Sequence, residues 1–354
     1  MATHSAGRPR HPDPGTVELP VARAAGPAPD GERPHDTGPI PIVGARPAPP
    51  PPSPPLPPVP PVPPVPAVPP GDGAAGEPAG PPVPVPGRAG RNLGAAIGVG
   101  LALGAVILAS LLVYRPAFLV VVLAAVLVGV VELTRALQSG DLRPPLVPVI
   151  VGAVAMIALA WTRGSSGLVV GFLLTVLAVV LWRLADGPGD YFRDASAGVF
   201  VALYVPLLAG FAVLLLVPDD GVARVLAFIA TVVCNDVGGY AAGVLFGKHP
   251  MAPSISPKKS WEGLGGSIVA CVVVATPVLA LALHAPWWSG VVFGVAIAAS
   301  ATIGDLGESL IKRDLGIKDM GHLLPGHGGI MDRLDSLLPS AALAYLLLSV
   351  FAPF

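Results

Sequence analysis

The chain has 354 residues, a formal net charge of −1, 53% hydrophobic residues and only 12% charged ones. Soluble domains carry about 25% charged residues, so the composition excludes an ordinary soluble domain and points to an integral membrane protein. The balanced charge offers no basic face for nucleic acid, and two cysteines in apolar runs, Cys234 and Cys271, are not a disulfide framework.

Residues 1–90 hold 30 of the 45 prolines, and 49–70 is nearly pure Pro with Val, Ala and Leu. Proline lacks a backbone donor and breaks helix and ladder alike. The segment is expected to be a disordered cytoplasmic tail with polyproline II stretches. Such a tail can dock a proline-recognising partner, although a solvated tail without one is the plainer expectation. The pattern of a cleaved signal peptide is absent.

Residues 91–354 read as one multi-span catalytic domain. About 20 apolar residues cross a bilayer as a helix, and nine segments qualify: 93–113, 117–137, 146–161, 167–184, 196–217, 222–245, 265–284, 288–306 and 335–352. The third and fourth are short. The expected fold is therefore all-α and polytopic, with about nine transmembrane helices behind the Pro-rich tail. Basic loops stay in the cytoplasm. Lys248, Lys258 and Lys259 mark one such loop, and Lys312, Arg313, Lys318 and Arg333 mark another. Both then face the cytoplasm with the tail, and the C-terminus lies outside. Arg115 and Arg163 fall on the outer side against this rule.

Polar residues inside apolar helices are costly and mark sites. Asn235 and Asp236 lie within the sixth span, followed by Gly238, Gly239, Tyr240 and Gly243. Asp236 and Tyr240 share a helix face. The glycines alone would also suit close helix packing. In the next loop, Ser256-Pro257-Lys258-Lys259-Ser260-Trp261-Glu262-Gly263 places paired lysines among hydroxyls. The lysines could hold phosphate or merely fix topology. Asp305, Glu308 and Ser309 fall three and four apart at the end of the eighth span, on one face. Asp332 and Asp335 are three apart where the last span begins. Carboxylates converging from two helices suit Mg²⁺, which takes one or two of them plus phosphate oxygens. Capping of a helix N-terminus and pairing with Arg333 is the bland reading.

Residues 309–335 pack four cations, four carboxylates and two histidines into 27 residues. Lys and Arg hold phosphate, carboxylates hold a metal that bridges phosphates, and Gly328-Gly329 lets backbone N–H groups come close. No thiolate or third histidine accompanies His322 and His327 at zinc spacing, and a Walker A loop is absent.

Ser309, Lys312, Arg313, Lys318, Asp319, Gly321, Leu324, Pro325, His327, Gly328, Gly329, Asp332, Arg333 and Asp335 stand in register with one signature. The chain resembles the phosphatidate cytidylyltransferases (CDP-diacylglycerol synthases) over roughly residues 180–350. Ser260 stands where that family shows Thr in its Ser-Pro-Lys-Lys-Thr-Trp-Glu-Gly stretch.

The resemblance implies a nucleotidyltransferase of phospholipid biosynthesis. It would make CDP-diacylglycerol and pyrophosphate from CTP and phosphatidate at the cytoplasmic membrane, with its active site facing the cytoplasm. Asp305, Asp332, Lys312, Arg313, Lys318 and Arg333 would be catalytic, and Asp305 and Asp332 would hold Mg²⁺. Ser256, Lys258, Lys259, Ser260, Asp236, Ser309, Asp319, His327, Gly328, Gly329 and Asp335 would bind substrate. A second, monovalent cation and a homodimer are both compatible with it. The rivals are a CTP-dependent polyprenol or diacylglycerol kinase and a membrane lipid transporter. The single asymmetric polar cluster, without two repeats of broken helices, counts against the transporter.

Overall fold

The computed structural model describes residues 93–321, 323 and 328–353. The expected tail lies outside them. Helices α1 (Leu93–Val113), α2 (Arg115–Gln138) and α3 (Leu146–Ala185) come first. Helix α4 (Tyr191–Ala202) runs through a π turn at Leu203–Leu207 into α5 (Leu208–Leu216). Then come α6 (Gly221–Phe246), the strands β1 (Pro250–Ala252) and β2 (Ser256–Ser260), α7 (Trp261–Ala282) and α8 (Trp287–Asp314). The short α9 (Met331–Leu334) and α10 (Leu337–Phe351) close the order. The protein is an all-α polytopic membrane protein. In hydrocarbon the backbone must satisfy its own hydrogen bonds, and helices do so.

Among the described residues seven helical segments are long and apolar enough to cross a membrane, against the nine read from the sequence. The difference has two sources. The expected third and fourth spans are the two arms of α3, counted there as one run and broken at Gly164 with φ 66° and ψ −150°. The arms double back, so that Gly152 lies against Thr175 and Gly171 against Met156. The expected first span is α1, whose Gly100–Val113 part is a shorter apolar helix outside the seven.

Small residues set the helix spacing, as expected where lipid supplies no hydrophobic force between helices. A Cβ on Gly238 would come within 2.7 Å of the Gly266 carbonyl oxygen, and one on Gly266 within 2.2 Å of the Ala242 Cβ. Helices α6 and α7 therefore touch backbone to backbone. At α8, a Cβ on Gly304 would lie 2.3 Å from the Asp335 carbonyl oxygen, which seats the carboxylate-bearing turn of α8 against the start of the α9–α10 span.

The two ends of the bundle differ. At one end Arg115 donates to the carbonyls of Pro218 and Asp219. There too the buried Arg224 spans Asp220 and the carbonyl oxygens of Leu348 and Ala352. Arg115 thus serves as a tether between loops. The other end gathers the C-termini of α2, α6 and α8 with the N-termini of α7 and α9.

Candidate active site

Between α6 and α7 the chain makes an antiparallel β-hairpin, with Pro250 opposite Ser260 and Ala252 opposite Ser256. Its base is pinned by Glu262. One oxygen of that carboxylate accepts from the backbone N–H groups of Lys248 and His249, each at 3.2 Å, and the other meets His249 Nδ1 at 2.5 Å. Ser260 caps α7, its Oγ accepting from Gly263 N at 3.1 Å. The Ser-Trp-Glu-Gly stretch is thus a fastening that sets the direction in which Lys258 and Lys259 leave the strand.

Under this hairpin lies a cavity of about 350 Å³. Asp236, Tyr240 and Asn235 of α6, Ser256, Lys258, Lys259 and Ser260 of β2, and Thr302 and Asp305 of α8 line it. Six residues assigned to the site from the sequence therefore share one wall space: Asp236, Ser256, Lys258, Lys259, Ser260 and Asp305. Lys259 Nζ lies 2.6 Å from Asp305 Oδ2. Asn235 Nδ2 donates to Asp236 Oδ1 at 3.0 Å and holds that carboxylate toward the opening. Ser267 Oγ in turn donates to the Asn235 carbonyl oxygen at 2.7 Å, which locks the turn of α6 in place.

A second charged cluster sits one helical turn on. Lys312 Nζ lies 2.6 Å from Glu308 Oε1 and 2.5 Å from Asp332 Oδ1. Asp332 also accepts from Met320 N at 3.1 Å and from Gly329 N at 2.7 Å. Gly328 has φ 80°, and a Cβ there would fall 2.8 Å from Asp332 Oδ2, so the bend needs glycine for both conformation and space. Asp332 is thus paired with Lys312. Asp335 Oδ1 accepts from Ser336 N at 2.8 Å.

The remaining expected residues disperse. Arg313 is exposed and its Nε donates to the Ile255 carbonyl oxygen at 3.4 Å, tying the end of α8 to the hairpin. Lys318 and Arg333 are exposed, and Ser309 is half-buried on α8. Asp319 lines a different cavity, of about 760 Å³, together with Glu132, Arg135 and Gly321. His327 and His322 lie outside the described residues. Cys234 and Cys271 are free thiols within α6 and α7.

The chain matches the family described as the cytidylyltransferase family over residues 95–351. The chain belongs to the cytidylyltransferase family. It is 47% identical over 282 residues to a phosphatidate cytidylyltransferase of Mycobacterium leprae, covering 74% of this chain and 89% of that protein. A phosphatidate cytidylyltransferase of Mycobacterium bovis is 45% identical over 277 residues, covering 74% of this chain and 90% of that protein. One from Brucella suis is 36% identical over 204 residues, covering 56% of this chain and 72% of that protein. This cytidylyltransferase is therefore an enzyme of the nucleotidyltransferase class embedded in a membrane.

One buried acid near the site, Glu132, carried a signal that motif reading passed over, and a second, Glu308, was placed on a shared helix face without a role. Glu132 is the one carboxylate within the apolar run of α2, 7% exposed, and its Oε2 accepts from Met331 N at 2.8 Å. Glu308, fully buried on α8, is the second holder of Lys312. An isolated acid in an apolar helix is itself a pointer to a polar site.

Proposed function

We propose that this cytidylyltransferase makes CDP-diacylglycerol from CTP and phosphatidate in the cytoplasmic membrane, with its cavity open to the cytoplasm. The observation that supports this best is the single cavity holding Lys258, Lys259, Asp236 and Asp305 at one end of the bundle. Two polyanions need cations there and a boundary with lipid, and the relatives carry that activity in their names.

The reaction asks for alignment more than covalent help. A phosphate oxygen of phosphatidate attacks the α-phosphorus of CTP. The bond to the β-phosphate oxygen breaks, and pyrophosphate leaves with the electron pair. Lys258 and Lys259 reach the cavity from the hairpin and would hold the triphosphate. Lys312, with Arg313 next to it and Arg333 next to Asp332 in sequence, would offset charge that develops on the leaving group. The fixed wall of α6 and α7 would hold the reactants in line, which removes entropy from the barrier. The diacyl tails stay in lipid.

The donor set suits Mg²⁺. The cavity offers carboxylate and hydroxyl oxygens, from Asp236, Asp305, Ser256, Ser260 and Thr302, and no thiol or imidazole among the described residues. Asp305 and Asp332, the expected ligands, each already hold an ammonium against one oxygen, from Lys259 and Lys312. Asp305 and Asp332 would hold Mg²⁺, which would supply Lewis-acid stabilisation of the phosphate charge.

The test follows the phosphorus. Purified protein is incubated with phosphatidate and CTP labelled at the α- or the γ-phosphorus. Label from the α position should enter lipid, and label from the γ position should leave in pyrophosphate. Entry of the γ label into lipid, with diacylglycerol or a polyprenol as acceptor, would make the protein a kinase and overturn this reading.

A further inference from the structure

Glu132 lies in the membrane-embedded part of α2 between Val131 and Leu133, and a carboxylate there is retained only against strong partners. Its partner is 199 residues away. Oε2 accepts from Met331 N at 2.8 Å, and Met331 is the neighbour of Asp332. The backbone also closes on it from both sides. A Cβ on Gly321 would stand 2.2 Å from Glu132 Oε1, and one on Gly329 would stand 2.4 Å from Oε2. A side chain at either position would have to displace the carboxylate. Asp332 takes the complementary set of groups, the N–H of Met320 and the N–H of Gly329. The same two short stretches of backbone, 320–321 and 329–331, are therefore held by two carboxylates from opposite sides.

We infer that Glu132 is a positioning residue: by gripping Gly321, Gly329 and Met331 it fixes Asp332 against Lys312. The inference rests on the cytidylyl-transfer reading for its kinetic consequence. Without the grip, Met331 N loses its acceptor and the backbone beside Asp332 is no longer confined. The Lys312 ammonium then keeps Glu308 but loses Asp332 at a fixed place. A displacement of about 1 Å at such a group costs on the order of 10²-fold in rate. The lipid and nucleotide would still bind, because Lys258, Lys259 and the cavity wall lie on other elements.

The test uses the full chain in detergent, as Glu132→Ala, Gly329→Ala and the double variant, with thermal unfolding measured beside turnover. Glu132→Ala should lower kcat by about 10²-fold and leave KM for phosphatidate near the wild-type value. Gly329→Ala should lower kcat through the clash with the carboxylate. Added to Glu132→Ala, it should cost little more, because the clashing group is gone. Glu132→Gln keeps an acceptor oxygen for Met331 and should recover part of the rate. Backbone hydrogen exchange over residues 328–334 reads the grip without any activity, and Glu132→Ala should speed it there while α6 and α7 stay protected. Unchanged exchange in those residues, or wild-type kcat in Glu132→Ala, would overturn the inference. So would a loss of rate that merely follows a loss of folded protein. If the wild-type chain makes no CDP-diacylglycerol but the exchange responds as stated, the functional reading falls and the grip stands.

Discussion

Lys259 Nζ lies 2.6 Å from Asp305 Oδ2, and this contact joins the hairpin strand β2 to α8, 46 positions further on. Both groups are about a quarter exposed, so the pair sits at the cavity wall, within reach of solvent. A half-screened pair adds little stability. Its value lies in holding a cation and an anion at set places around a phosphate-sized space. Lys259→Met should therefore leave the melting temperature almost unchanged and lower kcat about 10²-fold, the usual loss when one donor to developing charge is removed. Asp305→Asn should lower turnover as much and raise the Mg²⁺ concentration needed for half-maximal rate. Near-normal rates at limiting Mg²⁺ in Asp305→Asn would remove it from the metal site.

Asp332 behaves differently because it is 8% exposed and tied to Lys312 and two backbone N–H groups. Asp332→Asn leaves the Lys312 ammonium to Glu308 alone, and loosening a buried ion cluster costs up to about 3–5 kcal/mol. The variant should lose both turnover and thermal stability. Lys312→Met added to Asp332→Asn strands the buried Glu308, so stability should return only when Glu308→Gln is added as well, while activity stays lost. Recovery of turnover in that triple variant would show that the cluster is a structural device with no part in the chemistry.

Asp236, Ser256, Lys258, Lys259, Ser260 and Asp305 are assigned to one site from their residue types together with the family resemblance, and they do share one cavity. The β-hairpin was not legible, because three- and five-residue strands in a polar loop give no periodic signal. Nor was the role of Glu262 as a staple for the backbone of Lys248 and His249. The doubling back of α3 was legible, since 146–161 and 167–184 read as separate spans and the polar Thr162-Arg163-Gly164-Ser165-Ser166 lies at the break. Glu132 escaped because its function depends on backbone 199 residues away, a relation that no local pattern carries. The span from 196 to 217 read as a plain helix, and the π turn at Leu203–Leu207 falls where Pro206 removes an N–H from the i→i−4 ladder.

The glycine contacts between α6 and α7 give a sharp contrast between neighbours. A Cβ on Gly266 would press to 2.2 Å from Ala242 Cβ, whereas one on Gly265 would meet nothing within 4 Å. Gly266→Val should destabilise the detergent-solubilised protein by about 1–3 kcal/mol or more through overpacking. It should also widen the cavity wall that α6 and α7 share, with a fall in CTP turnover. Gly265→Ala should be neutral or slightly stabilising, since alanine favours the helix by roughly 1 kcal/mol over glycine. Equal melting temperatures for the two variants would mean that the α6–α7 contact is looser than backbone-to-backbone.

The last expectation concerns which side of the membrane the site faces. Arg313 Nε reaches the Ile255 carbonyl oxygen, so the end of α8 and the β-hairpin lie at one end of the bundle. Arg115 donates to the Asp219 carbonyl at the other end. The lysine-rich hairpin and the segment after α8 carry the positive charge, and positive loops remain in the cytoplasm. Single cysteines are introduced at the exposed positions Pro253, Asp314 and Asp219, in a background without Cys234 and Cys271. In intact cells a membrane-impermeant thiol reagent should label position 219 and spare 253 and 314. In inside-out vesicles the pattern should reverse, and CTP should slow labelling at 253. Labelling of 253 and 314 from opposite sides would break the single site apart. Labelling of both from outside would turn it away from the compartment that holds nucleotides.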